Sequence, residues 1–170
     1  MRNRIFIDFE ASSLTKDSWP VEIGFAWIDE KGKLRSDAKL IKPHPSWSLS
    51  EWSEKSQQIH GITLEELEGA EDAVEVARWA MREFGNAMLL SDAAPFDDRW
   101  LRRLMALIGQ DEYFEIVSIQ DEVREYFEGA AVGMFFKAYA NGHGNHRAGV
   151  DAMRLAQAWR AALRKEAKAK

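Results

Sequence analysis

The sequence predicts an α/β domain with a central five-stranded mixed sheet flanked by helices. Two runs rich in β-branched and aromatic residues come first, at residues 4–9 and 21–28, and a third run that alternates less cleanly follows at 33–42. Strand-like and helical patterns then alternate along the rest of the chain, which is typical of a sheet covered by helices. A length of 170 residues favours one domain, here 1–170, with its core at about 4–165 and a frayed basic tail at 166–170.

The elements follow from local signals. Glu30-Lys31-Gly32 predicts a turn that joins the second and third strands into a hairpin, and Pro43 and Pro45 end strand pairing before a loop and a short helix. Apolar residues at helical spacing predict one helix from Leu64 to Phe84, ended by Gly85. The remaining pattern predicts strands at 87–90 and 114–119 and helices at 96–107, 120–128, 131–140 and 147–165.

Composition excludes several function classes. The chain contains no cysteine, so disulfide frameworks, thiolate metal sites and cysteine nucleophiles are excluded, and a reducing cytoplasm suits it. No apolar stretch approaches the roughly 20 residues of a membrane span, and acids at positions 8 and 10 interrupt any signal peptide. The net charge of −5 argues against binding long nucleic acid by a basic surface alone. Metal ions held by acidic residues could instead bind the phosphates of a polyanionic substrate.

Two acids stand in the first predicted strand. Asp8 and Glu10 are two residues apart, so strand alternation places both side chains on one face. Two carboxylates beside Ile7 and Phe9 would repel each other and resist burial, and a cation would relieve both costs. The pattern alone equally fits a strand end whose acids face water.

Asp97 and Asp98 begin the helix after the fourth strand. Acids in a first helical turn are ordinarily caps or dipole partners. Asp98 fits that role better, which leaves Asp97 to turn elsewhere, although capping stays open for both residues.

A histidine and an acid surround the start of the last helix. Five helical steps separate His146 from Asp151, too many for one helix face, but His146 in the glycine-rich loop could reach the same site as Asp151. A histidine near an acid is a candidate general base at neutral pH. A solvated pair is the alternative.

Together these motifs resemble a known family. DFE in the first strand, HGIT at His60, AxFDxxxL from Ala94 and HRAxxDA from His146 occur in the order found in the DEDDh 3′ to 5′ exonucleases of the ribonuclease H-like superfamily. That family includes proofreading subunits, RNase T and oligoribonuclease. The resemblance spans residues 4–160 and implies the ribonuclease H-like fold.

The resemblance implies specific roles. It implies that two divalent cations, Mg²⁺ or Mn²⁺, stabilise the attacking hydroxide and the leaving 3′ oxygen, as in other two-metal hydrolases. Single-stranded DNA or RNA 3′ ends, or short oligonucleotides, would be the partners and nucleoside 5′-monophosphates the products. The family includes monomers and homodimers, so a homodimer stays open. The implied metal ligands are Asp8, Glu10, Asp97 and Asp151, the implied base is His146, and the implied substrate contacts are Ala11, Ser12, Leu14, His60, Ile62 and Phe96.

The chain departs from the family pattern near the site. Ala11 and Ser13 replace the usual threonine and glycine, and Asp92-Ala93 replaces the usual His-Asn before the third acid. All five catalytic positions are retained, so substrate handling is where these changes act.

Other features of the sequence have competing interpretations. His143 and His146 form an HxxH pair that could hold zinc, but a loop position fits His143 better. Asp8-Phe9-Glu10 after an apolar strand also resembles the motif of haloacid dehalogenase phosphatases. Those enzymes need aspartate at the position of Glu10, so this alternative fits poorly. Loop tryptophans at 19, 47 and 52 are either anchors or base-stacking platforms. A non-catalytic binding module and a nucleotidase are the competing functions.

Overall fold

The computed structural model describes residues 4–142 and 145–168. Its six strands form one sheet in the order β4-β3-β2-β1-β5-β6. β1 pairs antiparallel with β2 and parallel with β5, which places it at the centre of a mixed sheet. The strands are β1 (Arg4–Ala11), β2 (Pro20–Ile28), β3 (Leu34–Lys42), β4 (Glu71–Asp72), β5 (Met88–Ser91) and β6 (Ile116–Ser118).

Helices cover both faces of the sheet, so the predicted α/β class and mixed sheet are confirmed. In the part of the chain that the structure describes, no helix is long and apolar enough to cross a membrane. The helices are α1 (Glu54–His60), α2 (Leu64–Glu68), α3 (Ala73–Phe84), α4 (Ala94–Ala106), α5 (Ile119–Tyr126), α6 (Ala130–Asn141) and α7 (Ala148–Ala167), with a 3-10 turn at Leu49–Glu51.

The strand count differs from the prediction because the segment between Leu64 and Phe84 is not one helix. It forms α2 and α3 with the two-residue β4 between them, and β4 pairs with the end of β3. Asp72 accepts a hydrogen bond from the Val74 N–H and caps α3. The apolar spacing carries across this interruption, which hides it from periodicity.

Alternation along β1 separates two hydrophobic cores. On one face Phe9 packs against Trp100 of α4, and on the other Phe6 packs against Trp159 of α7. Asp8 and Glu10 share the face of Phe6 because strand side chains alternate. The sheet therefore presents its two acids toward α7.

The start of α7 lies directly on the sheet. A Cβ at Gly24 of β2 would lie 2.1 Å from the Gly149 nitrogen and 2.2 Å from the Ala148 carbonyl carbon, so only glycine permits this approach. α7 continues to Ala167, so Glu166 and Ala167 of the predicted tail are helical, whereas Ala169 and Lys170 lie outside the described residues.

Candidate active site

The third acid comes from the start of α4. Asp97 is 1% exposed and accepts a hydrogen bond from the Ser91 hydroxyl at the end of β5. Because β5 is the parallel neighbour of β1, this places Asp97 beside the acids of β1. The capping role expected for Asp98 is wrong. Asp98 instead accepts hydrogen bonds from the Arg102 side chain at 2.6 Å and from the Ile116 N–H at 3.3 Å.

The start of α7 supplies the histidine and the fourth acid. Ligand atoms of Glu10, His146 and Asp151 all lie within 4.8 Å of one another, close enough to share a metal ion. His146 has a φ of 55°, the one positive value among the described residues other than glycine. Left-handed backbone of this kind is strained and is frequent at functional sites. The structure thus brings His146 and Asp151 to the acids of β1.

An ion pair between a buried glutamate and a partly exposed arginine fixes this end of α7 to the sheet. Glu22 of β2 is opposite Glu10 in the register of the two strands. Its carboxylate accepts hydrogen bonds from Arg147 at 2.7 and 3.0 Å and from the Ala148 N–H at 2.8 Å. This pair was not among the residues predicted from the sequence. A lone glutamate within the buried apolar strand VEIGFAW was the available signal, since a buried charge needs a partner.

Burial, with added repulsion between carboxylates, raises the pKa values of the acids in the site. Burial raises the pKa of Asp8 well above its usual value, and the carboxylates of Asp97 and Glu10 raise it further. Burial also raises the pKa of Glu10 to about 8, with added repulsion from Asp151. The pKa of Asp97 rises to about 8 because it is buried, against the opposing hydrogen bond from Ser91.

This donor set fits divalent cations. Hard cations such as Mg²⁺ prefer carboxylate oxygens, and a cation would offset both the burial and the repulsion that raise these pKa values. Burial also raises the pKa of Asp151, and its Oδ1 atom is buried without a hydrogen-bond partner among the described residues. A metal ion at that oxygen would therefore displace no hydrogen bond among the described residues.

The acids lie in a cleft of about 960 Å³. Three large apolar side chains line it while remaining open to solvent: Leu14 is 70% exposed, Ile59 49% and Phe96 42%. Exposed apolar groups inside a cleft are typical of surfaces that contact a ligand.

The loop that carries Leu14 is anchored at both ends. The Ser12 N–H donates to the Trp19 carbonyl at 2.9 Å, and the Arg103 side chain donates to the Asp17 carbonyl at 2.7 Å. Trp100 donates to the Ser18 hydroxyl at 2.9 Å. The exposed leucine therefore projects from a fixed loop.

Comparison with known proteins identifies the family. A family model described as exonuclease, of the RNase T type, matches residues 5–159. The chain belongs to this exonuclease family. The predicted resemblance to DEDDh 3′ to 5′ exonucleases is thereby confirmed. No curated protein matches the chain.

Solved structures of an exonuclease share the fold. Escherichia coli exonuclease I in complex with a dA16 oligonucleotide has a TM-score of 0.71 and 14% identity, covering 99% of this chain and 42% of that one. The zinc-bound complex of the same enzyme with single-stranded DNA has a TM-score of 0.68 and 18% identity, covering 98% of this chain and 41% of that one. This chain thus spans about two fifths of exonuclease I, and the shared fold is ribonuclease H-like.

The substrate contacts expected of an exonuclease are only partly in the cleft. Ala11, Leu14, His60 and Phe96 line it. Ser12 does not, because its side chain is fully buried and accepts a hydrogen bond from the Trp19 N–H.

Ile62 also lies away from the exonuclease cleft. Its side chain is 1% exposed and packs in the hydrophobic core under the sheet. His60 is buried as well, and its Nδ1 accepts a hydrogen bond from the Ile62 N–H at 3.0 Å. Burial lowers the pKa of His60.

Burial identifies two of the three loop tryptophans as core anchors rather than base-stacking platforms. Trp19 is fully buried and stacks on Trp47 and Trp52 at 6.0 and 5.6 Å, so it is a core anchor, as is Trp47. Trp52 is half-buried and lines the cleft. His143 of the HxxH pair lies outside the described residues.

Asp92, one of the positions that depart from the expected family pattern, adds a further acid to the cleft. It lines the cleft and accepts a hydrogen bond from the Tyr139 hydroxyl. Burial and this hydrogen bond raise the pKa of Tyr139 to about 12. The Tyr139 hydroxyl therefore holds the Asp92 carboxylate in place.

Proposed function

We propose that this chain is a metal-dependent exonuclease that hydrolyses the 3′-terminal phosphodiester bond of single-stranded DNA or RNA and releases nucleoside 5′-monophosphates. One observation carries the proposal: Glu10, His146 and Asp151 converge within 4.8 Å in a cleft that also contains Asp8 and Asp97. A nucleic-acid-binding module without activity would need neither the histidine nor mutually repelling acids.

The four carboxylates of Asp8, Glu10, Asp97 and Asp151 would hold two Mg²⁺ or Mn²⁺ ions. Bound there, such ions supply electrostatic stabilisation of the attacking and leaving oxygens in an in-line displacement. Asp8 lies at the centre of the sheet, on the strand that pairs with both β2 and β5. The family resemblance makes it the ligand that both ions would share.

His146 would act as the general base. Its side chain is exposed in the cleft and lies beside Glu10 and Asp151, so it can take a proton from a water molecule at the acids and pass it to solvent. Its fixed position at the start of α7 orients the ring.

Leu14 and Phe96 would contact the terminal bases. Both are exposed apolar groups in the cleft, and apolar and aromatic surfaces bind bases without regard to their identity. Because the exonuclease I structures contain single-stranded DNA, single strands are the first substrates to test.

The test uses single-stranded DNA and RNA of one sequence, labelled at the 5′ end and incubated with Mn²⁺ or EDTA. The proposal predicts that the strands are shortened from the 3′ end, giving a ladder of products, only when metal is present. The polymer that is shortened at the higher rate identifies the preferred sugar. A nucleotidase would leave both polymers intact and dephosphorylate a nucleoside monophosphate. Binding of the polymers without shortening would contradict the proposed activity and favour a nucleic-acid-binding module.

A further inference from the structure

Arg154 lies one helical turn after Asp151 in α7 and lines the cleft. Within residues 4–142 and 145–168 its side chain donates no hydrogen bond, and its Nε is buried without a partner. An arginine carries five N–H donors in a rigid planar fork. Those donors are thus unused by the part of the chain described.

The guanidinium is nevertheless held in place. It stacks on the ring of Tyr139 with its central carbon 4.1 Å from the ring centre. The Tyr139 hydroxyl is in turn bound to Asp92, the acid that departs from the family pattern. A Cβ at Gly142 would lie 2.7 Å from the Arg154 Cγ, so glycine at this position leaves room for the arginine stem.

The ion pair with Asp151 does not occupy these donors. The closest nitrogen and oxygen, Arg154 Nη1 and Asp151 Oδ1, are 3.9 Å apart, which is beyond hydrogen-bond distance. The two groups attract each other because their charges are opposite, and the arginine therefore opposes the rise in the pKa of Asp151. The planar fork remains available to another anion.

The charges that line the cleft indicate why a phosphate would bind at Arg154. The cleft is lined by the acids of the site and by Glu51 and Asp92. Among the described residues its lysine and arginine side chains are Lys55, on α1, and Arg154, beside the acids. A phosphate that approaches these acids needs a neighbouring cation. Arginine matches the oxygens of a phosphate with paired donors.

We propose that Arg154 is a substrate-binding residue that donates hydrogen bonds to a phosphate of the nucleic-acid strand, held for this task by Tyr139 and Asp92. The inference rests on the proposed function, because it assumes a nucleic-acid substrate. It assigns a purpose to Asp92: the carboxylate orients the tyrosine ring on which the arginine rests.

The test compares Arg154→Ala, Arg154→Lys and the control Arg164→Ala. Arg164 is exposed in the last turn of α7, about 15 Å farther along the helix, and its replacement removes the same charge. Fluorescence anisotropy with a labelled oligothymidylate in EDTA measures affinity from about 50 to about 200 mM NaCl.

Arg154→Ala should weaken binding about tenfold and reduce the salt slope by about 0.7, the value for one phosphate contact on a single strand. Arg154→Lys should keep most of the slope and lose part of the affinity, since charge remains and the fork is lost. Gly142→Ala should weaken binding with no change in charge, because it displaces the arginine stem. Arg164→Ala should change neither value appreciably.

Two further measurements separate this role from a structural one. In Mn²⁺, Arg154→Ala should raise KM about tenfold with a much smaller change in kcat, which is the signature of lost substrate binding. Titration calorimetry should show Mn²⁺ affinity retained or increased, since a cation beside Asp151 has been removed. Unchanged KM and oligonucleotide affinity with weakened Mn²⁺ binding would overturn the inference. A wild-type protein that neither binds nor shortens oligonucleotides would instead refute the proposed function.

Discussion

Arg147 and Glu22 form a bidentate ion pair that joins the start of α7 to the centre of the sheet. The arginine Nη2 lies 2.7 Å from Oε1 and its Nε 3.0 Å from Oε2. The glutamate side chain is only 5% exposed and also accepts the Ala148 N–H. Since His146 directly precedes Arg147, the same contact fixes the backbone of the proposed base.

Replacing Arg147 with alanine should therefore cost stability and activity together. It leaves a buried carboxylate without its main partner, so the free energy of unfolding should fall by about 2 kcal/mol. Urea denaturation measures this. Arg78→Ala is the control, because Arg78 pairs with Glu75 on an exposed helix surface and should cost less than about 0.5 kcal/mol. Equal decreases in the free energy of unfolding of the two variants would contradict a stabilising role for the Arg147–Glu22 pair.

Gly24→Ala should separate α7 from the sheet. The new Cβ would meet the backbone at Ala148 and Gly149, which cannot move as a flexible side chain can. We expect a loss of at least about 2 kcal/mol in thermal unfolding, together with lost activity. In the control, Gly133→Ala, the Cβ meets nothing within 4 Å in α6, so helix propensity should stabilise the protein by about 0.5 to 1 kcal/mol. Unchanged stability and activity of Gly24→Ala would contradict the close contact between β2 and the start of α7.

Leu14→Ala should weaken substrate binding without affecting the fold. Leu14 is 70% exposed, so its removal should change the free energy of unfolding by less than about 0.5 kcal/mol. If a base covers it in the complex, the lost apolar contact should reduce oligonucleotide affinity about tenfold. Leu49→Ala is the matched control, since Leu49 is 60% exposed outside the cleft. Equal affinities of both variants would remove Leu14 from the binding surface.

The raised carboxyl pKa values predict that the metal-free protein loses stability as pH rises. Glu10 and Asp97 have pKa values of about 8 when folded, against 4.5 and 3.8 as ordinary values. Between these limits the folded state keeps protons that the unfolded chain has released, so unfolding becomes easier with each step in pH.

Asp97→Asn removes one such group and isolates its effect. In EDTA the variant should gain stability relative to wild type between about pH 5 and about pH 8, and Mn²⁺ should stabilise wild type more at the higher pH. Urea denaturation at several pH values measures the difference, with the exposed Glu30→Gln as control. A difference between Asp97→Asn and wild type that does not change with pH would contradict the assigned shifts.

That the five residues of the candidate site lie together was predictable, because each stands in a short motif with a fixed local context. Asp8 and Glu10 share a strand face, Asp97 follows β5, and His146 and Asp151 begin α7. Their partners were not predictable in the same way. Glu22 meets Arg147 across 125 positions, and Tyr139 meets Asp92 across 47. Such contacts depend on how strands and helices pack, which periodicity does not encode.

Burial explains why two of the expected substrate contacts do not line the cleft. Ser12 and Ile62 stand next to cleft residues in sequence, but their side chains point into the protein. Likewise, helical spacing continued through β4, although Asp72 at that point caps a new helix. Only the packed structure shows which neighbour of a site residue faces the cleft.

The most direct test of the account is the rate of 3′ shortening of single-stranded DNA in Mn²⁺ by wild type and His146→Ala. Loss of a general base should slow the reaction by about 10² to 10⁴. Because His146 is exposed, unfolding temperature and oligonucleotide affinity should be retained. Full activity in His146→Ala would contradict the assignment of the base, and a wild-type protein without metal-dependent shortening would contradict the active site as a whole.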